Sequence, residues 1–279
     1  MQTANNSLIG KVKRKLIKTY TSLNYKRKAR LYCVGSAKSG THSIDSMFNE
    51  TVRSQHEVDS GDSIKKILEI SKKNLSEENI ISFIKKRDKK LCLDIDSSQL
   101  NFFFLDHILN EFPDALFLLT IRDCYSWLDS FINDSLRRNP DKNWILLRDH
   151  RFRAEKFTHS QEEEPLKRRG LYTLDGYLSY WAYHNNKVLS SIPQEKLMIV
   201  KTSEISNKAH SIAEFAGLPK NSIRLDQTHS FKNPKKFKVL EEIDEKYLEL
   251  KIDEYCRPLM DKFFPEIKTF KDSSVYSKN

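Results

Sequence analysis

The sequence predicts an α/β fold with a mostly parallel central sheet flanked by helices. Short apolar runs at 31–34, 91–95, 115–121 and 197–200 alternate with stretches whose apolar residues recur at helical spacing. The run at 115–121, Ala-Leu-Phe-Leu-Leu-Thr-Ile, is apolar almost throughout, as a strand covered by helices on both faces must be. The loop after the first run holds two of only seven glycines, Gly35 and Gly40, directly between strand and helix.

The elements follow in order. The run 31–34 ends at Gly35, and a helix over 43–52 places Ile44, Met47 and Phe48 on one face. Residues 53–61 read as a polar loop, 62–73 and 76–87 as helices, and 91–95 as the second strand. Leu100, Phe103, Phe104, His107, Ile108 and Phe112 mark a helix that Pro113 ends. Strand 115–121 and a helix over 125–137 come next. Residues 139–171 are charged and irregular, an excursion outside the sheet. The helix over 174–191 carries Tyr177 and Trp181 as core aromatics, and the last strand is 197–200. A helix over 204–216 stops at Gly217 and Pro219, and a basic segment at 229–238 precedes a helix over 239–260.

With 279 residues, 38% of them hydrophobic, the chain can build one large core. The expected division is a basic segment, 1–29, and a single domain, 30–279, with 139–171 on its substrate side. A net charge of +10 favours an anionic partner without choosing one. Residues 1–30 hold nine Lys or Arg and no acid, which reads as a solvated tail, with peripheral membrane or nucleic-acid contact as the other reading. No stretch approaches the roughly 18–20 apolar residues of a membrane span and no secretory core is present, so a cytoplasmic location is expected. The four cysteines have no metal-ligand spacing, so neither disulfide nor zinc is expected.

In Gly35-Ser-Ala-Lys38-Ser39-Gly40-Thr41, glycines let the backbone turn around an anion, and the following helix offers free N–H groups and its positive dipole end. A nucleotide kinase loop places lysine after the second glycine and then a Ser or Thr for magnesium. Here Thr41 and His42 stand there, and the lysine sits inside the loop.

This loop resembles that of the sulfotransferases that use 3′-phosphoadenosine 5′-phosphosulfate (PAPS), whose pattern is Pro-Lys/Arg-Ser-Gly-Thr-Thr. This chain reads Ala37-Lys38-Ser39-Gly40-Thr41-His42-Ser43, with Ala for Pro and His for Thr as departures. The family's second element, an Arg at a strand end and a Ser eight residues later on the 3′-phosphate, matches Arg122 and Ser130, with Cys124 where Pro is common. The segment 229–238 stands where relatives use a late basic loop, making Lys235 and Lys236 candidates. The resemblance runs through about residues 30–240 and implies a P-loop-like sulfotransferase fold.

It also implies transfer of a sulfuryl group from PAPS to a hydroxyl or amine of a polar small molecule or carbohydrate, with no metal and no specific nucleic acid. Lys38 would stabilise the leaving oxygen, with the N–H groups of 39–43 beside it. The acceptor needs a base, and Asp94, Asp96 and His42 all stand open for it. For Asp94 and Asp96 the competing role is N-cap of the helix that follows, Asp96 being the better cap. Two other readings remain: a P-loop kinase-like phosphotransferase using ATP and magnesium with 91–94 as a metal-binding strand, and a basic, non-enzymatic polyanion binder.

Overall fold

The computed structural model describes residues 25–224 and 236–276, so most of the 1–29 segment, and Lys235, lie outside the described residues. β1 (Leu31–Cys33) runs into the glycine loop and α1 (Thr41–Phe48). β2 (Ser54–His56), α2 (Ser60–Ser71), α3 (Glu77–Leu91) and β3 (Ile95–Ser97) follow. A 3-10 turn, Gln99–Phe104, leads into α4 (Leu105–Glu111), β4 (Leu116–Ile121) and α5 (Cys124–Arg137). Next come α6 (Lys142–Phe152), α7 (Glu164–Lys167), α8 (Leu174–Ser191), β5 (Leu197–Lys201) and α9 (Ala209–Phe215). The 3-10 turn Val239–Glu242, α10 (Glu245–Tyr255) and α11 (Arg257–Phe263) come last.

The sheet has the order β2-β3-β1-β4-β5, every pairing parallel, as the α/β reading expects. Side-chain alternation divides the core between its faces. Leu31, Cys33 and Leu118 meet Ile44, Met47, Phe48 and Ile212 on one side. Tyr32, Phe117, Leu119 and Ile121 meet Trp127, Tyr177, Leu178 and Trp181 on the other. The chain leaves β1 toward one side of the sheet and β4 toward the other. A crevice therefore opens at the carboxyl ends of β1 and β4, where the glycine loop and Arg122 stand.

Several expected boundaries change. The sheet gains β2, whose Ser-Gln-His carries no apolar signal because it forms an edge of the sheet. The second strand is Ile95–Ser97 rather than 91–95, since α3 continues to Leu91 and ends on Cys92 at a left-handed φ of 47°. Ser98, and neither aspartate, caps the segment after it, its Oγ accepting from the Leu100 N–H at 3.1 Å. The excursion over 139–171 carries α6 and α7, with α6 packed on α2 and α8. The expected 239–260 helix divides at Cys256, where Pro258 opens α11. Among the described residues no helix is long and apolar enough to cross a membrane.

The strand shift moves Asp94 to the amino end of β3, level with Arg30 and about 16 Å along the sheet from Gly35 at the start of the glycine loop. Its carboxylate is fully buried and saturated with donors. Oδ1 accepts from the N–H groups of Lys28 at 2.5 Å and Ala29 at 3.1 Å, and Oδ2 accepts from the Arg53 N–H at 2.9 Å and the Tyr25 hydroxyl. Asp94 therefore fastens residues 25–29 to the sheet and is corrected out of the catalytic set. Asp94→Ala is expected to lower stability by about 2–4 kcal/mol, because several buried donors lose their acceptor. Urea unfolding measures this, and an unchanged midpoint would refute the clamp.

Candidate active site

The loop between β1 and α1 is shaped by side chains that seize its carbonyls from outside. His184 Nε2 lies 2.8 Å from the Val34 carbonyl, Trp127 Nε1 donates to Ala37 at 2.8 Å, and Thr202 Oγ1 to Ser39 at 2.6 Å. Arg122 Nη1 donates to the Lys38 carbonyl at 3.3 Å, and Ser39 Oγ to Ser36 at 2.7 Å. Within a planar peptide the N–H points opposite the carbonyl, so the N–H groups of Lys38 and Gly40 project away from these anchors and into the loop. Burial pulls the His184 pKa down to about 3, so its ring is neutral. Its Nε2–H is then the donor to Val34, and Nδ1 accepts from the Tyr180 hydroxyl at 3.1 Å.

The two glycines do different work. A Cβ on Gly35 would lie 2.1 Å from Thr120 Oγ1 and 2.8 Å from the Thr120 carbonyl, so only hydrogen fits. Gly40 has φ 106° and forms the N-cap of α1. Lys38 holds a left-handed φ of 68°, a conformation uncommon outside glycine that turns its side chain out of the chain direction. Its Nζ reaches Asp134 Oδ1 of α5 at 3.1 Å. That carboxylate also lies within 4.0 Å of Arg137, Arg138 and Arg148, so four cations share one anion.

Arg122 stands at the carboxyl end of β4. Nε donates to Ser126 Oγ at 2.9 Å, which itself donates to Asp123, the N-cap of α5. The sequence pair Arg122-Asp123 therefore works through Ser126. Trp181 Nε1 holds the Arg122 carbonyl at 3.1 Å. Burial draws the Arg122 pKa down against the opposing pull of Asp123 and Asp129, leaving a desolvated cation suited to an anion. Ser130 lies one turn beyond Ser126 on the same helix face. The Phe237 N–H donates to Asn133 Oδ1 at 2.7 Å, which ties the end of the 229–238 segment to α5. Lys236 accordingly lies close enough to act on Asp129, which Arg122 also faces. Cys124, where the resembled pattern has Pro, uses the N–H that proline lacks, donating to Met260 Sδ at 3.4 Å.

On the opposite side of β1, Thr41 Oγ1 is 3.2 Å from Nε2 of His56, the last residue of β2. His42 stands beside it, ring centroids 4.9 Å apart, with Nδ1 3.2 Å from Ser46 Oγ. Burial lowers the His56 pKa, helped by His42 and Arg138 and opposed by Glu57 and Asp45. A neutral imidazole results, able to take a proton at neutral pH. Sequence reasoning missed His56, since a histidine in a polar stretch carries no periodic signal.

The structure joins Arg122 to the Lys38 carbonyl, sets Thr41 and His42 against His56, and places Lys236 near Asp129, which Arg122 also faces. Three expectations change besides Asp94. Asp96 is tied up by Arg87, whose Nη1 and Nη2 both reach its carboxylate. Ser39 turns inward, its Oγ 2.9 Å from Thr120 Oγ1 and its N–H donating to Ser36 at 3.2 Å, so both donors hold the loop itself. The Ser43 N–H donates to Gly40 at 2.9 Å, closing the first helical turn. Lys235 falls outside the described residues. Among the described residues no group of three His, Cys, Asp or Glu could hold a metal ion.

The family model described as a sulfotransferase domain matches residues 30–219. No curated protein sequence matches the chain. It is similar in structure to a sulfotransferase from Alicyclobacillus acidocaldarius, at 14% identity and TM-score 0.43 over 84% of this chain and 95% of that one. It is also similar to a Mycobacterium avium sulfotransferase, at 14% identity and TM-score 0.46 over 91% and 81% respectively. The sulfotransferase domain of a Synechococcus olefin synthase aligns at 10% identity and TM-score 0.41, over 85% and 96%.

Gly35→Ala is expected to cost about 1–3 kcal/mol, because the methyl must displace the β4 backbone at Thr120. Thermal unfolding reads this directly. An unshifted melting temperature would show that loop and strand are not in close contact.

Proposed function

The chain belongs to the sulfotransferase-domain family, and from that premise we propose that it transfers a sulfuryl group from PAPS to a hydroxyl or amine of a polar small molecule or carbohydrate. The observation that carries the donor assignment is the 3.3 Å hydrogen bond from Arg122 Nη1 to the Lys38 carbonyl. It joins two anion-binding elements at one crevice, a spacing suited to a nucleotide with anionic groups at both ends. The glycine loop and Lys38 take the 5′-phosphosulfate end. Arg122, Ser130 and Lys236 take the 3′-phosphate, which a guanidinium fork fits well.

In the reaction the acceptor heteroatom bonds to sulfur as the bond from sulfur to the bridging phosphate oxygen breaks, and charge gathers on that leaving oxygen. Lys38 exchanges Asp134 for the leaving oxygen, assisted by the N–H groups of the loop and of the first turn of α1. His56, neutral through burial, removes the acceptor proton, with Thr41 holding Nε2 until the acceptor arrives. His42 sits against the His56 ring and disfavours its protonation, which keeps the base available.

Calorimetry with the desulfated nucleotide tests the donor site. Arg122→Gln is expected to weaken binding roughly 10- to 150-fold, the worth of a charge-assisted hydrogen bond of about 1.5–3 kcal/mol. Lys38→Ala is expected to lower kcat by about 10²–10³. A wild-type protein that ignores the nucleotide would refute the donor. The base is tested by pH. Because the His56 pKa is lowered, its neutral form persists as pH falls through the ordinary histidine value of about 6.5, so the acid limb of kcat should lie below that value. His56→Ala should abolish that limb together with most turnover, and an unmoved profile would remove His56 as base.

A further inference from the structure

In the order of the sheet, β3 and β2 lie across β1 from Arg122; Arg151 reaches this side through Gln99, while Arg148 reaches α5. Arg148 and Arg151 are three residues apart on α6 and so share a face. Arg148 Nη2 is 3.9 Å from Asp134 Oδ2, the carboxylate that Lys38 also uses. Arg151 is only 5% exposed. Its Nη2 donates to Gln99 Oε1 at 2.7 Å, while its Nε has no hydrogen-bond acceptor among the described residues. Gln99 follows β3, and its Nε2 donates at 2.6 Å to Glu57, the residue after His56. The two arginines are thus each one partner away from the reacting groups, Arg148 from Lys38 and Arg151 from the His56–Glu57 edge.

The charges here do not balance. Asp134 already answers Lys38, Arg137 and Arg138 as well as Arg148. Arg151 meets Glu57 only through an amide. The rings of Phe103, Phe152 and Tyr180, with centroids 5.1–5.9 Å from its guanidinium, attract a cation but carry no net charge. A buried guanidinium without its own counter-ion is costly, and an anion arriving with a ligand would relieve that cost. Burial also draws the Arg148 pKa down, in line with incomplete compensation. The nucleotide does not account for Arg151, whose partner Gln99 follows β3, across β1 from Arg122, while Arg148 meets Asp134 of α5 beside Lys38.

We infer that the acceptor carries an oxyanion group, a carboxylate, sulfate or phosphate, which Arg148 and Arg151 grip while its hydroxyl or amine faces His56. This rests on the sulfuryl-transfer reading and narrows its acceptor to anions. Inorganic sulfate, inorganic phosphate and acetate, titrated separately by calorimetry into protein saturated with desulfated nucleotide, distinguish the three oxyanions. At least one is expected to bind, and Arg148→Gln and Arg151→Met are each expected to weaken it by about tenfold or more. Nucleotide affinity should stay within about twofold in Arg151→Met, whereas Arg148→Gln, which alters the Asp134 network of Lys38, is read by anion affinity; Arg151→Lys, which keeps the charge, should recover part of the anion affinity.

Anion affinity unmoved by both substitutions, or no anion binding at all, overturns the proposal. So does a parallel loss of nucleotide affinity in Arg151→Met, which would assign that arginine to the donor. If Arg151→Met fails to fold, the Arg148→Gln arm decides alone. Should the wild type not bind the nucleotide, the donor reading fails separately, and the same titration on nucleotide-free protein judges the arginine site.

Discussion

The hydrogen bond from Arg122 to the Lys38 carbonyl is the joint on which this site depends. It belongs to a set in which the carbonyls of Val34, Ala37, Lys38 and Ser39 are each held by a side chain from another element: His184, Trp127, Arg122 and Thr202. A loop whose carbonyls were loose could turn them inward and repel an anion. Holding them outward turns N–H groups inward and removes the cost of arranging them when a ligand binds. The same donors tie the loop to β5, α5 and α8, so the cradle inherits the rigidity of the core beneath it.

Electrostatics then determines how the cradle is used. Lys38 is kept in place by Asp134, yet that carboxylate is shared among four cations and is a weak rival for an incoming anion. Asp134 also couples the two sides of the crevice, because a ligand that draws Lys38 away leaves Arg148 with more of the carboxylate. Across β1, burial keeps His56 neutral beside this concentration of positive charge. A proton acceptor and a set of anion donors can therefore coexist within a few residues of one another.

Much of the fold was legible because its signals are local. Strand 115–121 reads as buried on both faces, and Phe117 and Leu118 do lie fully buried in opposite layers of the core. The second strand was misread because Leu91 and Leu93 look strand-like, while α3 in fact runs on until Cys92 takes a left-handed turn. β2 was missed because Ser-Gln-His occupies a sheet edge, where backbone pairing and not apolar burial defines the strand. The strand error carried directly into chemistry, since a shift of a few residues moved Asp94 from the ligand edge to the opposite end of the sheet.

By itself the sequence determined the α/β class, the glycine loop with its internal lysine, and the separation of Arg122 from Ser130. Each is written in contiguous residues whose spacing follows from strand and helix geometry. Only the tertiary structure decided which polar groups meet. It consumed Asp94, Asp96 and Ser39 in structural bonds, brought His56 to Thr41, and turned Trp127, Trp181, His184 and Thr202 into supports of the loop. Those outcomes depend on contacts between residues as much as about 160 positions apart, as Ser39 and Thr202 are. A hydrogen bond between distant residues is set by how strands order and helices cross, and no local pattern of residue types encodes it.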